Sequence, residues 1–395
     1  GRRVRDAERR ARVGWRHCLA GSARAADVVA VTRGLVTLHS TDAASVYLAA
    51  WARLDPAAGD PTELLAAELY ERRTLVRMLG MRRTVYVVPA ELAPVVQASS
   101  TRSIAVQERR RLLRLLAEAG VAADPAGWLA DVEAATLAAL AERGEALATE
   151  LSAVVPGLRE QLTMSAGKAY EGKIGVSTRV LFLLAADGHI VRGRPRGSWL
   201  SSQYRWAPAA TWLPGAAAEL TAEAARVELV RHWLASYGPG TLADLKWWTG
   251  WTVGALKPAL AAAGAVEVEL DGGGTGLLLP QDAEPVPEPE PWVALLPGLD
   301  PTVMGWAGRG WYLGQYGPEL FDRSGNPGPT VWCDGRIVGG WAQRAGGEVA
   351  YHLFEDIGAE AAAAVAAEAD RLARWLGPVR VTPRFRTPLE RKLSS

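Results

Sequence analysis

The amino-acid sequence predicts an α+β chain, mainly helical with small β-hairpins, built as tandem winged helix-turn-helix modules with a β-rich C-terminal region. Three observations point there: a sharply punctuated three-helix and hairpin unit at 223–279, a looser recurrence of that order twice upstream, and alternating apolar strands after a Pro-rich segment. In the clearest unit, Glu223 to Tyr237 has helical apolar spacing at Val227, Val230 and Leu234, and Gly238-Pro239-Gly240 interrupts it. Thr241 is placed to cap a short helix through Trp248, and Thr252 to cap a second from Val253 to Ala263, because a threonine hydroxyl accepts from the first free N–H groups of a helix. Gly264 supplies the left-handed stop, and Ala265–Leu270 and Thr275–Leu279 read as a hairpin turned by Asp271-Gly272-Gly273-Gly274. Three helices and a hairpin make one winged helix.

Upstream, helices near 24–38, 42–54 and 61–77 lead to a strand Arg82–Val88 that Pro89 stops. An Arg-rich helical stretch around 90–119 precedes helices near 128–142 and 145–155, a helix from Ser177 to Ala186, and a hairpin from His189 to Trp206. The acidic Pro-rich run Pro280–Pro291 reads as an extended, stiff connector. Beyond it come strands at Trp292–Leu296, Thr330–Cys333 and Arg336–Trp341, with Asp334-Gly335 as a hairpin turn, then an Ala-rich helix at about 358–376 and a terminal strand Val379–Phe385. The expected division is an N-terminal arm and first winged helix at 1–89, a second with an Arg-rich hairpin at 90–222, a third at 223–280, a linker at 281–291 and the β-rich region at 292–395.

Composition narrows the function classes. Hydrophobic residues make up 49% and charged residues 22%, which suits folded domains, and no stretch approaches the roughly 20 apolar residues that span a bilayer. The N-terminus Gly1-Arg2-Arg3-Val4-Arg5 leads into an Arg-rich helix without the apolar core of a signal peptide, so a cytoplasmic chain is expected. Cys18 and Cys333 have no metal-ligand spacing and read as structural thiols. Zinc, P-loop and dinucleotide signatures are missing, so neither metal nor cofactor is expected. No heptads argue for a coiled-coil dimer, which leaves a monomer. The net charge is only +1, but of 44 basic residues five are lysines, and the arginines cluster at 2–16, 102–114, 192–196 and 380–391. Patches, rather than overall charge, would hold a polyanion.

The junction His39-Ser40-Thr41-Asp42 interrupts two apolar helices with four consecutive polar side chains. One explanation is local: Ser40, Thr41 or Asp42 caps the helix that runs to Arg53, and His39 is a cation facing the dipole of the preceding helix.

A resemblance adds a second explanation. Gly34-Leu35-Val36-Thr37-Leu38-His39-Ser40-Thr41-Asp42, Tyr47–Arg53, Met81–Pro89, Tyr237-Gly238-Pro239, Leu295–Pro301 and Asp334–Trp341 occur in the order found in bacterial AlkZ/YcaQ-type winged-helix DNA glycosylases, which the chain resembles from about 20 to 385. The resemblance implies tandem winged helices and a C-terminal β-rich region forming a concave scaffold for double-stranded DNA. It also implies excision of N7-alkylated purines, including bulky and crosslinked adducts, in some members as self-protection of producers of genotoxic antibiotics. That family holds its hydrolytic water with Gln-x-Gln or Gln-x-Asp at this junction; here His39 stands for the first Gln and Thr41 for the second polar residue, followed by Asp42.

These residue types suit the chemistry. N7 alkylation makes the purine cationic and weakens its glycosidic bond, leaving the enzyme to place a water and stabilise an oxocarbenium-like sugar. Asp42 is the first choice for stabiliser and base, His39 for orienting the water or sharing the base role, and Thr41 for holding it by hydrogen bonds. No lysine is near to form a Schiff base, so a monofunctional glycosylase that leaves an abasic site is expected, acting at the nucleoid on bulky purine adducts, with guanine adducts of a genotoxic natural product the expected substrate. DNA contacts are expected from Arg192, Arg194 and Arg196 in the glycine-containing hairpin, from Arg82 and Arg83 at the first wing, and from Trp199 against an unstacked base. Two alternatives stand beside this reading, a winged-helix transcriptional regulator without catalysis and a partner-binding scaffold. Against the regulator, the helix Thr252–Ala263 has Lys257 as its one charged group, and its hairpin carries Glu267, Glu269 and Asp271, which repel phosphate.

Overall fold

A computed structural model describes residues 1–164, 167, 172–215 and 219–395. The best-punctuated stretch folds as its caps dictate. Thr221 caps the helix Ala222–Tyr237, Thr241 and Asp244 form a reciprocal capping box on Leu242–Thr249, and Thr252 caps Val253–Ala263. Gly264 ends the last helix at φ +74°, and Val266–Leu270 pairs antiparallel with Thr275–Leu278. Sequence periodicity missed a third strand: Arg3–Val4 adds to Val266–Leu270 in parallel. Two residues carry no period, and their partner lies far along the chain. The arm also neutralises part of the hairpin's acidity, since Arg3 pairs with Asp271 at 2.9 Å.

In the N-terminal part the helices Val28–Leu35, Ala43–Trp51 and Pro61–Ala66 surround a small sheet in the order Leu38–His39, Val85–Pro89, Leu75–Leu79. Two expectations are corrected here. The helix expected to reach residue 77 ends in a π turn at Ala67–Glu71, Arg73 takes a left-handed φ of +58°, and Leu75–Leu79 is a strand. Four of its five residues are buried, so it lacks the polar alternation that marks a half-buried strand. Arg82 and Arg83 are not on the strand that follows; they form its turn, at φ +56° and +60°, and the strand begins at Val85.

The middle of the chain is helical at Arg102–Glu118, Pro125–Arg143, Ala148–Val154 and Val176–Ala186, with the hairpin Ile190–Pro195 and Tyr204–Pro208 packed against the first sheet through Leu75–Leu79. The Pro-rich run Pro280–Pro291 docks on the first helix, Asp6–Arg16: Arg12 donates to the carbonyls of Asp282 and Glu284, and the Trp15 indole to that of Pro287.

The C-terminal region is an antiparallel meander of Val293–Leu296, Thr330–Cys333, Arg336–Gln343 and Val349–Leu353, covered by the helix Ala359–Leu376. The terminal strand expected at Val379–Phe385 is not a strand. Side chains take the place of a ladder partner: Gln343 accepts from the Val381 N–H and donates to the Val379 carbonyl, and Asp42 accepts from the Arg384 N–H. A buried ion pair, Arg53–Asp300 at 2.7 Å, ties this region to the N-terminal helices. Among the described residues, no helix is long and apolar enough to cross a membrane.

Candidate active site

The junction is built where a helix is forced to stop. Val28–Leu35 ends at Val36, which takes φ +67°, a conformation that a β-branched residue rarely adopts. The chain then turns into the two-residue strand Leu38–His39, paired with Val87 and Tyr86, and the Ser40 N–H reaches the Val85 carbonyl at 2.9 Å. Asp42 starts the next helix as its N-cap.

His39 is 9% exposed, and its ring stands edge-on to Tyr86 at 5.4 Å. It lines a cavity of about 20 Å³ with Arg82, Tyr86, Tyr237, Trp247 and Met304, and its Nδ1 is buried with no hydrogen-bond partner among the described residues. One water needs roughly 10–15 Å³ of such space and two or more polar partners. Burial, and then the nearby Arg82, lower its pKa to about 4. The cationic, helix-facing histidine of the local explanation is therefore corrected: His39 lies on a strand, and desolvation keeps it neutral.

Asp42 is committed at both oxygens. Oδ1 accepts from the Ala44 N–H at 3.2 Å and Oδ2 from the Arg384 N–H at 2.9 Å, while the Arg384 guanidinium donates to the Thr41 carbonyl at 3.1 Å. Burial raises the Asp42 pKa despite these donors. Asp42 lines a second cavity of about 20 Å³, with Ser45, Leu48, Trp341 and Pro383, and half-buried Thr41 precedes it. The structure thus brings His39, Thr41 and Asp42 into one segment but opens His39 and Asp42 onto different cavities. Sequence reasoning missed Arg77, whose Nε donates to Ser40 Oγ at 3.0 Å and which sat at the end of an expected helix. It also missed Trp247, over which Arg82 stacks at 4.2 Å. Arg384 carried one signal, its place in the 380–391 arginine cluster.

The expected DNA-contact residues divide. Arg82 and Arg196 are exposed and, among the described residues, without an ion pair, whereas Arg83 pairs with Glu108 at 3.1 Å and Arg194 with Glu71 at 3.4 Å. Arg192 is half-buried over Trp206 at 4.7 Å. Trp199 packs inward against Tyr47 and Trp375, at 4.9 and 5.8 Å, so its faces are engaged within the protein.

A protein-family model for AlkZ-like DNA glycosylases matches residues 32–375, the junction included. The chain belongs to the AlkZ-like DNA glycosylase family. It is an enzyme that acts on DNA. Its fold is similar to that of Streptomyces sahachiroi DNA glycosylase AlkZ, with a TM-score of 0.70 at 19% identity over 95% of this chain and 98% of that one. A search of curated proteins found no match.

In this AlkZ-like glycosylase the histidine makes a pH prediction. An ordinary histidine would protonate near 6.5 as pH falls; His39, lowered to about 4, keeps both its neutral ring and its free acceptor or donor nitrogen well below that. Single-turnover excision is expected to stay level from neutral pH down past the ordinary histidine range and to fall only in acid. A rate that tracks a group near 6.5 would mean either that His39 is less desolvated than its burial implies or that another group titrates.

Proposed function

We propose that this glycosylase hydrolyses the N-glycosidic bond of bulky N7-alkylated purines in double-stranded DNA, guanine adducts of a genotoxic natural product in particular. It acts as a monofunctional, monomeric, cytoplasmic enzyme and leaves an abasic site. The observation that supports this reading best is buried His39, whose ring nitrogen has no partner among the described residues and which lines a water-sized cavity at the helix junction. A neutral imidazole is a hydrogen-bond acceptor that can hold a water, and a cationic N7-alkylpurine needs little leaving-group protonation. Asp42, on the neighbouring cavity, is the carboxylate of this segment that a sugar cation placed between the two cavities would meet, and Thr41 supplies a hydroxyl. Incubation with a duplex bearing a bulky N7-alkylguanine, followed by alkaline cleavage, tests the proposal: strand breaks at the adduct are expected, and their absence at enzyme excess would overturn it.

DNA affinity in this reading comes from guanidinium groups on exposed turns. Each phosphate contact contributes about −0.9 to the slope of log K against log salt, so replacing Arg194 and Arg196 together by Ala is expected to flatten the slope by about one to two units. Titration at several salt concentrations measures it, and an unchanged slope would move the interface off this hairpin.

A further inference from the structure

A larger cleft, of about 810 Å³, lies between the strand Leu75–Leu79, the hairpin strand Ile190–Pro195 and the turn after Trp212. Arg72, Arg73, Arg77 and Arg192 line it, with Glu71 as the one carboxylate among the described lining residues, and Glu71 is turned to Arg194 at 3.4 Å. Arg77 is 2% exposed. Its Nε donates to Ser40 Oγ at 3.0 Å, its Nη1 to the Tyr70 hydroxyl at 2.9 Å, and its guanidinium lies 4.3 Å from the centre of the Tyr204 ring.

Among the described residues, neither Arg77 nor Arg192 has a carboxylate partner; burial works against the Arg77 charge, and the tyrosine oxygens of Tyr204, Tyr70 and Tyr47 outweigh it and raise its pKa, whereas Arg192 has no such set. Burial, followed by repulsion from Arg77, lowers the Arg192 pKa to about 10. Among the described residues the buried Tyr204 hydroxyl also has no hydrogen-bond partner. Nearby, Arg73 holds a left-handed backbone, stacks on Trp212 at 4.1 Å and donates through Nη1 to the Trp212 carbonyl at 3.0 Å, while its buried Nε has no partner among the described residues. Charges taken from water in folded proteins are normally paired, and two guanidiniums that repel across a cleft wall lower their energy when an anion enters between them.

We propose that this cleft is a phosphate site for one nucleotide unit, with the phosphate between Arg77 and Arg192 and the sugar or base against the apolar wall of Val76, Met78 and Leu213. Planar, always-charged guanidiniums suit a phosphate better than lysines would, and the volume admits a nucleotide where the His39 cavity admits a water. Occupancy would also fix Arg77 and, through it, Ser40 beside His39. That the nucleotide belongs to a DNA strand rests on the glycosylase reading; the phosphate chemistry does not.

The test uses the full chain, undamaged duplex, inorganic phosphate and deoxyguanosine monophosphate, so binding is read without any excision. If the phosphate is a DNA phosphate, Arg192→Leu and Arg77→Met each reduce the salt slope of duplex binding by about 0.9. If a free nucleotide is the occupant, deoxyguanosine monophosphate binds the parent chain and neither variant, and the duplex slope stays unchanged. Either result supports the site. Unchanged slopes with no binding of phosphate or nucleotide at millimolar concentration overturn it. Circular dichroism checks the fold; should Arg77→Met not fold, Arg192→Leu and Met78→Glu, which adds a carboxylate to the wall, decide the matter alone.

Discussion

Asp300→Ala is expected to lower the unfolding free energy by about 3–5 kcal/mol, the largest stability loss anticipated for a single polar substitution in this chain. Arg53 and Asp300 are both 0% exposed, and Arg53 donates to both Asp300 oxygens at 2.8 and 2.7 Å. The same guanidinium reaches Thr302 Oγ1 at 2.7 Å and the carbonyls of His17 and Ala49 at 3.0 Å. His17, fully buried, bonds Thr302 through Nδ1 at 2.8 Å, and burial followed by Arg53 lowers its pKa to about 3. Removing the carboxylate leaves a cation with no charge to offset it in a site closed to water, where it joins the N-terminal helices to the C-terminal sheet. Urea denaturation at neutral pH measures the effect. The Arg53→Leu, Asp300→Leu double variant is expected to lose less than Asp300→Ala, because apolar replacement of both partners removes the unpaired charge. A loss under about 1 kcal/mol in Asp300→Ala would mean that water reaches the pair.

What the sequence disclosed follows from how local each interaction is. Thr241 and Thr252 were legible as caps, and Asp42 as one of three candidates with Ser40 and Thr41, because a cap bonds residues two or three positions on. The strand Leu75–Leu79 was hidden: it is buried on both faces, and its partner Val85–Pro89 lies beyond a turn of two left-handed arginines that no local rule anticipates. Val379–Phe385 misled in the opposite direction, since its composition suits a strand but its backbone is met by the side chains of Gln343 and Asp42. The same limit applies at the site. The polar junction was plain, yet that Asp42 would also hold the C-terminal segment, and that His39 would face Tyr86 and Arg82 instead, depends on contacts tens to hundreds of residues apart.

His39→Ala is expected to cut single-turnover excision of an N7-alkylguanine by about two orders of magnitude, the loss typical of removing a positioned base or water ligand. The variant should still fold, at a cost of about 1–3 kcal/mol for the buried ring it deletes beside Tyr86, a loss urea denaturation separates from the loss of rate. His39→Gln should recover much of the rate, since an amide oxygen can also accept from the water. Asp42→Asn separates charge from capping. Its amide oxygen can still accept from the Ala44 N–H, but its –NH2 cannot accept from Arg384, so a stability loss of about 1 kcal/mol is expected even if chemistry is untouched. If the negative charge stabilises the sugar cation, excision should fall about a hundredfold as well, far beyond what that stability loss explains. Near-normal excision by Asp42→Asn would leave Asp42 as a cap and tether, with His39 alone in the chemistry. Full activity in both His39→Ala and Asp42→Asn would remove this junction from the mechanism, because a shared fold does not fix where the chemistry is done.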